Sequence, residues 1–383
     1  MRSPAQSLLE IEAAGLLRQQ RSLDSPTGTR VSRDGRMLWN FASNDYLGLA
    51  RHPTITAALI EGVQRYGTGA AASRLVCGTL PPHRLLEEAL ATAKHAAAAL
   101  TFSSGYATAL GSIPAIVGKS DFIFLDRLCH ACLVDAAHLS GATLRVFPHN
   151  DFQKLGQLLT STRAKSSSCR ILVITESVFS MDGDLCPLLE IVKLTESHDA
   201  QLFLDEAHGF GILGPHGMGL AEQEGLQNRI AFQMGTLSKS AGLAGGYLVA
   251  SRDWIDLITN RARSFIYSTA PPPCLAHAAL ASLALIRSSE GPALRAQLQE
   301  HIAIFPPALT PIIPKIFGSN EKTIAAAKHL EDAGFLVPAI RFPTVPRGTA
   351  RLRISLSAAH GPGEIAGLTH ELCQLYNYNE SLA

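Results

Sequence analysis

Four short segments of this 383-residue chain set side chains in patterns that could do chemistry. Gly235-Thr236-Leu237-Ser238-Lys239-Ser240 holds one lysine between two small hydroxyl residues, in a turn after a short apolar run. That setting suits an amine partly desolvated to act as a nucleophile, although a surface lysine is the default for any single site. Asp205 follows the run Leu202–Leu204, with His208 three positions on. A carboxylate at a strand end can keep a heteroaromatic nitrogen protonated and so make the ring an electron sink; a helix N-cap is the structural alternative. Ser104-Gly105-Tyr106 follows a strand run and opens a helical one, where free N–H groups and the helix dipole suit a phosphate dianion. A plain strand-to-helix turn explains that segment equally well. Cys129-His130-Ala131-Cys132 has redox or zinc spacing, but no second ligand pair matches it. Two small core cysteines flanking a functional histidine is the better account, and no metal is expected.

Two further matches fail on context. Gly209-Phe210-Gly211-Ile212-Leu213-Gly214 fits G-x-G-x-x-G, but Asp205–His208 separates it from its strand and Pro215 follows at once; a dinucleotide loop must follow the strand directly and open a helix. Asp205-Glu206-Ala207-His208 resembles a helicase box, yet no G-x-x-x-x-G-K phosphate loop accompanies it.

Continuous apolar runs position these segments. Candidate strands are Leu100–Ser103, Phe122–Leu125, Thr143–Phe147, Ile171–Thr175, Leu202–Leu204, Ala231–Met234 and Tyr247–Ala250, separated by helical stretches. Unbroken runs imply strands covered on both faces, hence an α/β fold with a largely parallel sheet whose strand ends carry the chemistry. The chain changes character near Pro271-Pro272-Pro273. A long helical pattern, Leu275 to Glu300, and a βαβ-like tail with strands near Ile340 and Leu352–Leu356 follow. The expected organisation is an N-terminal helix and arm (1–40), a large domain (41–286) and a smaller C-terminal α/β domain (287–383). Leu9, Ala13, Leu16 and Leu17 fall at helical spacing, which predicts an amphipathic helix packed on the body.

With 33 Lys and Arg against 32 Asp and Glu, the net charge of +1 gives no pull toward nucleic acid or an anionic membrane, although Arg18, Arg21, Arg30, Arg33 and Arg36 crowd near the N-terminus. No apolar run approaches the roughly 18 residues of a membrane helix. Glu10 and Glu12 interrupt any signal-peptide core, and the seven scattered cysteines favour a reducing cytoplasm.

Six motifs in order match a known family. Ser43–Leu49, Gly67–Thr79, Asp126–Ala131, Glu176–Gly183, Asp205–His208 and Thr236–Lys239 resemble those of the α-oxoamine synthases, fold-type-I pyridoxal-phosphate enzymes, along nearly the whole chain. The resemblance implies a seven-stranded, mostly parallel sheet flanked by helices, and a homodimer. It also implies roles. Lys239 would carry the cofactor on its amine and later remove the Cα proton; Asp205 would keep the ring nitrogen protonated; His130 would stack on the ring and position the substrate. Ser180 and His208 would bond near the ring hydroxyl, and Gly105, Tyr106 and Thr236 would hold the phosphate. Arg353 would pair with the amino acid's carboxylate, while Arg18 and Thr344 would contact the acyl substrate.

Phe147-Pro148-His149-Asn150-Asp151 and Arg341–His360 most resemble the branch that condenses L-alanine with a pimeloyl thioester in biotin synthesis. The acyl carrier there would be coenzyme A or acyl carrier protein. Branches using glycine or serine with acetyl, succinyl or palmitoyl thioesters are the alternatives, and a non-catalytic partner subunit is a more distant one. Two departures stand out: Ala70-Ala71-Ala72 replaces glycines common in relatives, and Ile302–Lys315 looks shortened.

Overall fold

The seven apolar runs assemble into one sheet. The computed structural model describes residues 3–25, 28–166 and 168–380. After two short strands, β1 (Arg30–Arg33) and β2 (Arg36–Asn40), the sheet is built from β3 (Ala98–Phe102), β4 (Phe122–Asp126), β5 (Thr143–Phe147), β6 (Ile171–Glu176), β7 (Gln201–Asp205), β8 (Phe232–Thr236) and β9 (Gly246–Ala250). Their order is β3-β9-β8-β7-β6-β4-β5. The last five in that order run parallel, and β9 is antiparallel to both of its neighbours. Every residue of β3, β6, β8 and β9 is buried, which is why those runs are mostly apolar; edge strand β5 buries only Phe147. Helices Gly105–Ile116 and Ala131–Ser140 add Ile113 and Leu133 to a core with Phe102, Leu125, Phe203, Phe232 and Leu248. Each such side chain contributes about 1.5–3 kcal/mol on burial. Because β5 and β6 lie on opposite sides of β4, the strand order reverses there, and such reversals open a crevice at the carboxyl ends.

The chain divides into two units: Leu47–Ser180 with Asp184–Gln297, and Met1–Tyr46 with Met181–Gly183 and Leu298–Ala383. The first holds the large sheet. In the second, β10 (Ile312–Gly318), β11 (Phe335–Leu336), β12 (Ala339–Ile340) and β13 (Ala350–Ser355) form two small sheets. One runs β10-β13-β12, antiparallel throughout; in the other β11 joins β2 in parallel, beside the β1–β2 hairpin. The expected βαβ-like tail is present as β10, the helix Asn320–Asp332 and β12, the two strands both antiparallel to β13 and so parallel to each other. The nine residues from 341 to 349 are too few for a parallel crossover, which takes about a dozen or more, so β12 and β13 meet as a hairpin.

Two helical expectations change. The pattern from Leu275 to Glu300 is two helices, Pro273–Arg287 and Glu290–Ala303. The break comes where Ser288 Oγ accepts from the Glu290 N–H (3.2 Å) and caps the second one. Near the N-terminus, Pro4–Ala13 is helical through local signals, Ser3 capping the Gln6 N–H at 3.2 Å with proline in the first turn. None of its residues is buried, and Leu9 is 64% exposed, so the predicted packing on the body is absent.

Candidate active site

The carboxyl ends of β4, β6, β7 and β8, with the turn after β3, surround a cavity of about 210 Å³. Its walls include Gly105, Tyr106, His130, Asp205, His208, Thr236 and Lys239. Seven of the residues singled out in the sequence thus converge.

Ser104 caps the helix Gly105–Ile116 by accepting from the Ala107 N–H (3.0 Å), which leaves that helix's first N–H groups at the cavity wall. A carbon added to Gly246 on β9 would come within 2.6 Å of the Gly105 nitrogen. Glycine there lets the strand lie directly against the helix start. Tyr106 donates its hydroxyl proton to Asp135 on the neighbouring helix. The Thr236 hydroxyl donates to Gly245 O (2.8 Å) and accepts from Ser238, whose Oγ lies 2.8 Å away, so Thr236 also ties down the turn that presents Lys239. The Lys239 carbonyl accepts from the N–H of Gly242 (2.8 Å). Gly242 has φ +70° and backs onto the Leu49–Ala50 peptide, where a side chain would collide. The tight turn holds Lys239 half-buried.

Asp205 closes β7, 4% exposed, and takes the Ala207 N–H at 2.8 Å. Burial pushes its carboxyl up to about 6, while the Lys239 ammonium and the Ala207 N–H pull the other way. Its cross-strand partner is Glu176, the last residue of β6, also buried and bonded by the His130 N–H. Burial and the Asp205 charge raise the Glu176 carboxyl well above its ordinary range. His130 caps the helix Ala131–Ser140: its Nδ1 accepts the Cys132 N–H (3.2 Å) and lies 3.0 Å from the Cys132 thiol. With Nδ1 an acceptor, the proton sits on Nε2. Burial and the Lys239 charge lower the pKa, so the ring is neutral at neutral pH.

The glycine-rich segment after β7 opens no helix. Carbons added to Gly209 or Gly219 would strike the Glu206 carboxylate, which accepts the Leu220 and Ala221 N–H groups at 3.1 and 2.9 Å. Those glycines let a turn wrap a buried acid.

Ser180 lies in the segment after β6 and is not among the residues lining the cavity. The remaining residues belong to the other unit. Arg353, 4% exposed on β13, is held by Asn44 Oδ1 (3.1 Å), Ser355 Oγ (2.7 Å) and the Tyr46 hydroxyl (3.3 Å). Arg18 reaches Thr344 Oγ1 at 3.4 Å, which pairs the two residues expected to meet the acyl group. Sequence reasoning gave Glu176 no role and read Cys132 only as a core cysteine, although both line the cavity. A signal existed for Glu176: like Asp205, it is an acid directly after an apolar run.

The groups fit a cofactor with an anionic end and a basic aromatic nitrogen. Helix N–H groups at Gly105 suit the anion, Asp205 suits the protonated nitrogen, and Lys239 offers the amine. Among the described residues no cluster of His, Cys, Asp or Glu is arranged to hold a metal.

Comparison with known proteins agrees. The family model described as aminotransferase class I and II matches residues 36–372. The chain is 45% identical to 8-amino-7-oxononanoate synthase of Bordetella petrii over 386 residues, 97% of this chain and 96% of that protein. It is 45% identical to the enzyme of the same name from Geobacter sulfurreducens over 375 residues, 95% of each chain. A variant serine palmitoyltransferase from S. paucimobilis with bound PLP–myriocin aldimine superposes at TM-score 0.91 with 26% identity, over 98% of this chain and 96% of that one. The chain belongs to the aminotransferase class I and II family and, within it, to the α-oxoamine synthases, among the 8-amino-7-oxononanoate synthases.

Proposed function

We propose that this chain condenses L-alanine with a pimeloyl thioester, using pyridoxal phosphate, to give 8-amino-7-oxononanoate, CO2 and the free thiol, a step of biotin synthesis. The observation that carries the reading is the convergence of Lys239, Asp205 and His130 on one cavity that begins at the Gly105 helix start.

Pyridoxal phosphate, when bound, supplies the electron sink that stabilises a carbanion at the amino acid's Cα and accepts electrons again on loss of CO2. Lys239 would hold it through the side-chain amine and would take the Cα proton on that amine. Asp205 would keep a proton at the ring nitrogen. His130 would stack on the ring and position the substrate. His208 and Ser180 bond near the ring hydroxyl. The N–H groups at Gly105 and Tyr106, with Thr236, hold the phosphate. Arg353 grips the alanine carboxylate with its planar fork, and Arg18 and Thr344 meet the acyl chain. The working form is a cytoplasmic homodimer, with coenzyme A or acyl carrier protein delivering the acyl group.

The test compares kcat/KM for pimeloyl, acetyl, succinyl and palmitoyl thioesters with alanine, glycine and serine, scored by the mass of the ketone. Pimeloyl with alanine should lead. Glycine should trail alanine by a factor of roughly 10 to 200, the reach of one methyl in an apolar pocket. Acetyl with glycine, or palmitoyl with serine, outperforming pimeloyl with alanine overturns the substrate assignment and leaves the condensation chemistry standing.

A further inference from the structure

The segment Phe147–Asp151 takes no part in the chemistry above, yet it carries a polar cluster that reaches the strand end before His130 and the turn that holds Ser180. Asp126, the last residue of β4 and 1% exposed, accepts the Leu128 N–H through Oδ1 (2.8 Å) and the Asn150 N–H through Oδ2 (2.8 Å). Its Oδ1 also faces His149 Nδ1 at 3.0 Å, and on the opposite edge of that ring Nε2 meets Asp184 Oδ2 at 2.7 Å. Asn150 Nδ2 donates to Asp184 Oδ2 (3.0 Å) and to Leu185 O (3.1 Å). Phe179, next to Ser180, sets its ring at 88° to the imidazole, centroids 4.3 Å apart. Phe179 and Asp184 close a turn through one backbone bond of 3.1 Å, and Val178 bridges Leu185 beyond it. One ring therefore touches both the start of the loop to His130 and the turn that holds Ser180.

The charged groups facing His149 are Asp126 at the end of β4 and Asp184 beyond β6. A ring with a carboxylate at each nitrogen carries both protons. Burial works against that charge; the hydrogen bonds to Asp126 and Asp184 overcome it and push His149 up to about 9.

We propose that His149 is a positioning residue: clamped between Asp126 and Asp184, it locks the His130 loop to the Ser180 turn and so fixes together the two groups that orient the cofactor ring. This rests on the reading that the cavity holds pyridoxal phosphate.

The experiment uses holoenzyme, wild type against His149→Gln, which keeps a donor for one carboxylate only. The readouts are the cofactor dissociation constant, visible circular dichroism of the bound cofactor from pH 7 to 10, and kcat and KM for alanine. In the wild type the visible signal should weaken as pH rises through about 9. In the variant that step should vanish, the dissociation constant should rise about 10-fold or more, and kcat should fall more than KM changes; losses of that size are usual for groups that orient direct ligands. A variant that only melts at lower temperature, with wild-type dissociation constant and visible signal, overturns the proposal. No visible cofactor band in the wild type overturns the cofactor reading beneath it. If His149→Gln does not fold, Asp184→Asn carries the test: loss of one opposite charge should lower the alkaline step by about 1–3 pH units, and an unmoved step counts against the proposal.

Discussion

The strand ends of the large sheet and the interior of the smaller unit both bury ionisable side chains, with opposite outcomes. At the ends of β4, β6 and β7, the acids Asp126, Glu176 and Asp205 sit close to cations or to one another, and two of the three line a cavity with Lys239. In the smaller unit, His360 is 1% exposed and stacks on Phe41, ring centroids 4.1 Å apart. It donates Nε2–H to Asn40 O (3.1 Å) and accepts the Ser357 N–H at Nδ1 (3.0 Å). Burial, helped by the nearby His301, drives its pKa down to about 4 against the pull of the Asn40 carbonyl. At the strand ends the buried acids and Lys239 shift one another's titration; around His360, burial among backbone partners leaves a neutral ring that serves the fold.

The comparison can be broken most decisively at Lys239. Lys239→Ala should abolish turnover and leave the melting temperature close to wild type. Borohydride reduction of wild-type holoenzyme followed by peptide mapping should place the label on Lys239. The nearest lysines along the chain, Lys193 and Lys315, are far enough away to be distinguished, and a label on either removes Lys239 from its role. Asp205→Asn comes next, with a loss of about 10²-fold or more in kcat, as for removal of one preorganised electrostatic partner. A carboxyl whose folded pKa is raised weakens the fold as pH climbs from its unfolded value toward about 6. The asparagine variant should therefore be no less stable than wild type at neutral pH, and a variant that is both active and destabilised contradicts the assignment. His360→Asn is the smallest and opposite case. A histidine with a lowered folded pKa contributes stability present above about 6.5 and lost as pH falls through about 4. Wild type should lose about 3 kcal/mol across that window in chemical denaturation. The variant should lose that acid limb and keep its kcat.

Much of this was legible in the sequence because of how strands are covered. All seven large-sheet strands showed as runs; helices on both faces demand apolar residues of the inner ones, while edge strand β5 carries Arg145 and buries only Phe147. Four strands ran on past the predicted runs. Asp126, Glu176, Asp205 and Thr236 each extend a strand beyond its apolar run, held there by ladder partners such as Glu176 with Asp205. Polarity hid them from the pattern and also put them at the cavity or its supporting cluster. Pairings between distant segments were not readable: β2 finds Phe335–Leu336 almost 300 residues away through backbone bonds that leave no local trace. The exposed Pro4–Ala13 helix shows the converse limit, because apolar spacing predicts a face and does not say what will cover it.

The contact between Gly246 and the Gly105 amide bears on how such a site can evolve. A carbon at position 246 would lie within 2.6 Å of that nitrogen and would also strike the Thr108 hydroxyl. The helix start is therefore gauged against β9 by bare backbone, which no side-chain exchange can retune by small steps. Descent with new substrates has no gradual path at this end of the cavity. Drift in specificity must accumulate at positions where size can change one methyl at a time, and this end of the cavity stays as a fixed datum for every variant.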